Sequence, residues 1–208
     1  VDSSLSPTLT ILYTAALRGD LELLPRLFTY LRELRLQALS LPQSHVYLLD
    51  LGESCHPDVW HCAITEGRSM LIALDGMGYQ AANVEGQLDE PARDRMRDNL
   101  MELVLVDAAH PWVNDGLGFC TELPQTAEQN RPWVLMTPAA RTTISEGTLQ
   151  LQRVTHAQVG MAQIQLEPSL ILLDHVIRDL PPTTPPDPTI AATIDFIRSE
   201  AQFRQRKG

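Results

Sequence analysis

The sequence predicts an α/β fold with a mostly parallel N-terminal sheet, a C-terminal antiparallel portion and a closing helix. Three observations carry this expectation. Short apolar runs alternate with helix-period segments through the first half, strand-like runs separated only by turn residues fill the second, and an amphipathic stripe follows a proline-rich break near the end.

"TLTILYT", from Thr8 to Thr14, is a nearly continuous run of β-branched and apolar residues, the pattern of a strand buried on both faces. A helix begins near Pro25, where proline suits the first helical position, and Leu27, Leu31 and Leu34 give it one apolar face. "HVYLLDL" is the second strand. Met70, Leu74 and Met77 mark a helix from about Gly67 to Met77, which Gly78 stops and after which Tyr79 packs on the sheet. "QAANV" is a third strand, Pro91 starts a helix running towards Met101, and "ELVLVDA" is a fourth strand, so this half reads as successive βαβ crossovers. Periodicity fades from His110 to Pro132 among Gly116, Gly118 and Pro124, which predicts a surface loop with Trp112 and Trp133 as its anchors.

Beyond it, "PWVLMT", "LQLQRV", "VGMAQIQL" and "SLILLDHVI" predict an antiparallel meander. "LPPTTPPDP" leads into a last helix with Ile190, Ile194, Ile197 and Ala201 on one stripe and Asp187 placed to cap it. The predicted organisation is one domain over 1–208: a βαβ half over 1–108, the long loop over 109–132, and a β-rich half with the closing helix over 133–208.

A formal charge of −10 with no basic cluster except "RQRKG" excludes a surface that tracks nucleic-acid phosphates. No apolar window is long enough to span a bilayer, so no membrane partner is expected and the chain reads as soluble and cytoplasmic. Three cysteines are too few and too odd in number for a disulfide framework, which predicts a reducing compartment. The segment "LLDLGESCHPDVWHC" nonetheless gathers Cys55, His56, His61 and Cys62 beside Glu53 and Asp58, all groups that bind transition metals. Their spacing is not one that structural zinc sites use, so the reading here is no metal, with buried cysteine beside surface histidines; a metal site on these four residues is the alternative.

The order of three segments resembles a known family. "TLTILYTAALRGDLELLPRLFTYLREL", "VYLLDLGES" and "EGRSMLIALDGMGYQAANVEGQLDE" are similar, in order and spacing, to the N-terminal half of the calcineurin-like metallophosphoesterase superfamily in its 5'-nucleotidase branch. "VGMAQIQL" and "PPDPTIAATIDFI" resemble the strand and helix that close the family's domain. The resemblance implies a metallophosphoesterase-like α/β sandwich. It places the family's ligand positions on Ala16, Arg18, Glu53, Gly86 and Gln87, of which Glu53 alone keeps a carboxylate, while the later GHxH signature is absent. A two-metal phosphoesterase centre needs several converging carboxylates and histidines. The expectation is therefore a catalytically degenerate member with no catalytic residues and no cofactor. It would bind a protein partner or a small anionic ligand, with Arg18 and Gly19 at the mouth; the alternative is a hydrolase rebuilt around Asp50, Glu53 and the Cys/His cluster.

Overall fold

The computed structural model describes residues 8–40, 45–124 and 131–207. Four strands, β1 (Thr8–Thr14), β2 (His45–Asp50), β3 (Ala81–Asn83) and β4 (Val104–Val106), lie side by side and parallel. Crossovers α1 (Leu24–Leu39), α2 (Trp60–Thr65) with α3 (Arg68–Gly76), and α4 (Glu90–Arg97) connect them. Two short strands follow, β5 (Trp112–Asn114) and β6 (Leu117–Cys120), then β7 (Trp133–Ala139), β8 (Thr143–Ser145), β9 (Thr148–Gln152), β10 (Gln158–Gln165), β11 (Ile171–Asp179) and the closing α5 (Pro188–Lys207).

The strands form two sheets, ordered β11-β10-β1-β2-β3-β4 and β5-β6-β7-β9-β8. The first is sandwiched. Leu12, Leu48 and Ala82 face a helical layer built on Leu27, Leu31, Leu34, Met70, Leu74 and the α5 isoleucines. Ile11, Tyr13, Tyr47 and Leu49 face the second sheet through Phe119, Val134, Met136, Leu149 and Leu151. Burial on both faces is why β1 is a nearly continuous run of β-branched and apolar residues. The α5 stripe is as the periodicity predicts: Ile190, Ile194, Ile197 and Ala201 are buried, and Asp187 Oδ1 accepts from the amides of Thr189 and Ile190 at 2.9 and 3.1 Å.

Three expectations are corrected. The stretch read as a surface loop contains β5 and β6, and all four residues of β6 are buried; residues 125–130 of that stretch lie outside the described residues. Trp112 and Phe119 stack there while Tyr47 meets both rings. The C-terminal runs do not make a single meander. β10 returns to the first sheet antiparallel beside β1, and β11 pairs antiparallel with β10 at the edge, whereas β7 pairs parallel with both β6 and β9. The third correction is covalent: Cys55 and Cys62 are joined by a disulfide that closes a loop between the end of β2 and α2, which the expectation of reduced cysteines excluded. Cys120 is free and buried, and burial pushes its thiol up to about 11.

Candidate functional site at the strand ends

Ligands of open α/β sheets lie beyond the carboxyl ends of the strands. Here the ends of β1 and β2 continue as a paired strap: Leu51 N donates to Thr14 O, Ala16 N to Gly52 O, Arg18 N to Glu53 O and Gly19 N to Ser54 O, all at 2.8 to 2.9 Å. Within it Ala16, Arg18 and Glu53 hold left-handed backbone at φ 54°, 51° and 56°, a region that non-glycine residues rarely occupy away from turns and functional segments. Gly52, at φ 109°, also leaves room for Asn83, whose Nδ2 would lie 3.3 Å from an added Cβ.

Below this strap lies a buried floor. Asp50 is fully enclosed; its Oδ2 accepts from Gly52 N at 3.3 Å and its Oδ1 from Thr14 Oγ1 at 3.4 Å, while Thr14 Oγ1 also meets the Tyr79 hydroxyl at 3.0 Å. Burial pushes the Asp50 carboxyl well above the ordinary carboxylate range; the two hydrogen bonds oppose the rise and the charge of Glu53 adds to it. Asn83 completes the floor, donating from Nδ2 to Leu51 O and to Met136 O at 3.2 and 3.3 Å and so joining the two sheets.

The rim is different. Arg18 Nη2 lies 3.4 Å from Glu53 Oε2, and Arg153, at the end of β9, places Nη1 3.0 Å from Oε1 of the same carboxylate. The hydrogen bond from Arg153 holds the Glu53 carboxyl below its ordinary range against partial burial, with the charges of Arg153 and Arg18 adding to it. The three side chains are 62%, 54% and 48% exposed for Arg18, Arg153 and Glu53. Beside them His156 Nε2 meets Asp20 Oδ2 at 2.9 Å. Arg153 escapes sequence reasoning because its strand joins the other sheet; the only signal was a basic residue ending "LQLQR".

The remaining predicted residues sit as follows. Gly86 is exposed at φ 68°, and Gln87 accepts at Oε1 from Ser54 Oγ at 3.2 Å, tying the ends of β3 and β2. Gly19 is buried, with its amide on Ser54 O and its carbonyl on His61, so its backbone polar groups are engaged within the fold. His61 donates from Nε2 to Gly19 O at 2.9 Å and therefore accepts at Nδ1 from Ser69 Oγ at 2.8 Å; burial holds its pKa below the ordinary histidine value. His56 is half-exposed beside Asp58, 3.6 Å away. With the sulfurs of Cys55 and Cys62 bonded to each other and both nitrogens of His61 occupied, the four-residue metal alternative does not assemble. A cleft of about 400 Å³ lies alongside, walled by the disulfide, Glu53, Glu66, Glu85 and Gln87.

No protein-family model and no curated protein matches this sequence. Solved structures do. A 5'-nucleotidase precursor from Thermus thermophilus superposes with a TM-score of 0.57 at 12% identity, over 94% of this chain and 59% of its own. A protein assigned as a 5'-nucleotidase from Staphylococcus aureus, in complex with alpha-ketoglutarate, gives 0.58 at 10% identity, over 92% of this chain and 58% of its own. The likeness is one of fold. The chain has a metallophosphoesterase-like α/β architecture and spans about three-fifths of the length of each of these two chains. Among the described residues, no helix is long and apolar enough to cross a membrane.

Proposed function

We propose that this chain is a binding protein on a 5'-nucleotidase-like scaffold, without phosphoesterase activity, and that Arg18 and Arg153 hold a small anionic ligand at the strand ends. The carrying observation is that two guanidiniums converge on Glu53, the one carboxylate among the family-like ligand positions. Ala16 and Gly86 offer no side-chain donor, Arg18 brings a positive charge, and the Gln87 carbonyl oxygen is taken by Ser54, so these residues do not fit a dinuclear metal centre. Exposed ion pairs of this kind contribute little, roughly 0 to 1 kcal/mol, so either guanidinium can turn from Glu53 to a phosphate or carboxylate at small cost and engage it with directed hydrogen bonds. A rebuilt hydrolase is the weaker reading, because Asp50 is sealed beneath the strap and the cysteines are not thiolates.

Two measurements test this. Nucleoside monophosphates and generic phosphodiesters should show background hydrolysis with any added divalent metal; metal-dependent turnover abolished by Glu53→Ala would overturn the proposal. Calorimetric binding of phosphate or a nucleoside monophosphate should weaken at least about tenfold in the Arg18→Ala/Arg153→Ala double variant. The disulfide also supports an oxidising compartment in place of the cytoplasmic expectation, checked by counting free thiols in protein isolated without reductant.

A further inference from the structure

We propose that the chain forms a two-fold symmetric dimer through β11, independently of what the strand-end site binds. β11 is nine residues long and stands at the outer edge of the first sheet, and among the described residues it pairs on one side only, with β10. An edge of that length is a template for another strand, and proteins usually blunt such edges with a bulge, proline or inward charge. Here the irregularity in the β10 pairing falls between Gln163 and Ile164, opposite Leu173, and leaves the segment from Asp174 to Asp179 regularly paired.

Within that segment the side chains divide cleanly. Opposite His175 is Ala162 of the inter-sheet core, and Ile177 packs against the same core. Asp174, Val176 and Arg178 point to the other face, opposite Gln163, Met161 and Val159; the two charged residues are exposed and Val176 is half-buried. Arg178 has no ion pair among the described residues, and the Asp174 carboxylate accepts only from the amide of His175, at 2.8 Å.

The spacing identifies the occupant. Asp174 and Arg178 lie equally far on either side of Val176 and carry opposite charge. In an antiparallel pairing of β11 with a second copy of itself, centred on Val176, Asp174 of each copy stands opposite Arg178 of the other and the two valines meet between them. Directly opposed unlike charges and β-branched pairs are the cross-strand combinations that stabilise antiparallel strands. A two-fold axis requires a patch that complements itself, and this one does. The two first sheets would then run on as one, with the strand-end sites outside the interface.

Sedimentation velocity over a dilution series tests the proposal on the full chain. The wild type should show a monomer–dimer equilibrium, and Arg178→Asp, which opposes two carboxylates at both ends of the pairing, should weaken association about tenfold or more. Asp174→Arg/Arg178→Asp exchanges the charges and should restore it. A wild type that stays monomeric at every concentration, a dimer indifferent to Arg178→Asp, or a charge exchange that fails to restore association would each overturn the inference. Both substituted positions are at the surface, and far-ultraviolet circular dichroism confirms that the variants remain folded.

Discussion

Asp50 and Glu53 stand three residues apart on the same strand end, and the protein treats them in opposite ways. Asp50 belongs to the floor, enclosed with Thr14 and Tyr79 and pushed towards its neutral form. Glu53 belongs to the rim, half in water between two arginines and held in its charged form. The floor holds the ends of β1, β2 and β3 in place, and its groups are costly to disturb because each satisfies another buried group. The rim decides what the site can touch. Its residues change at little expense to folding, so a scaffold can persist while the chemistry above it drifts.

The sharpest separation of floor from rim should come from Asn83. Its side chain serves two carbonyls from different sheets and accepts from Glu85 N at 2.9 Å, so Asn83→Ala strands buried groups on both sides. A loss of about 3 kcal/mol is expected in denaturant unfolding. A loss indistinguishable from that of a rim variant would erase the distinction. Next in size is the disulfide, which ties the loop after β2 to α2 in the helical layer: Cys62 is buried and Cys55 half-buried. Closing a loop between residues seven apart restricts the unfolded chain modestly, so Cys55→Ser/Cys62→Ser should lower stability by about 2 kcal/mol, and added reductant should reproduce the loss in the wild type but not in the variant.

Asp50 supplies the third test, and its sign is opposite. Its folded pKa is raised, so the stability it contributes is present in acid, below the unfolded carboxyl value near 4, and is lost as pH rises through the folded value. Asp50→Asn removes the ionisation while keeping an acceptor for Gly52 N. The variant should gain on the wild type as pH rises from acid to neutral, read as a growing difference between their denaturant midpoints. Parallel pH profiles for the two proteins would show that Asp50 is not sealed.

The floor was largely legible in the sequence because burial writes a pattern. Unbroken apolar runs gave β1 and β2, helical spacing gave α1, α3 and α5, and glycine gave the turn before Tyr79. Short elements were legible where an apolar run marked them, as at β3 and β4, and not elsewhere. α2 has six residues, β5 three and β6 four, too few for a period to emerge, and β6 carries a glycine because the Trp133 ring leaves no room for a Cβ on Gly118. The rim was half legible. Arg18 and Glu53 follow from adjacent strand ends, whereas Arg153 reaches them through the stacking of one sheet on the other, which no local signal encodes. The disulfide was missed for a related reason: counting cysteines assumes a framework, and one local bridge needs only two that a turn brings together.

The smallest expected effect is the one that tests the rim most directly. The structure leaves the Arg18–Glu53 pair in water and adds Arg153 as a second guanidinium on the same carboxylate. Arg18→Ala should therefore change stability by less than about 1 kcal/mol, since Arg153 remains on the carboxylate and solvent screens what is lost. The lowered pKa of Glu53 gives the sign with pH. The stability that the arginines confer is present above the unfolded carboxyl value and disappears as pH falls through the folded one, so any loss in Arg18→Ala should shrink in acid. Arg18→Ala/Arg153→Ala leaves Glu53 unpaired, and water takes the place of both guanidiniums. If the double variant nonetheless unfolds with a deficit as large as that of Asn83→Ala, Glu53 is not a rim residue in solution and the guanidiniums are structural ties that cannot be released to a ligand.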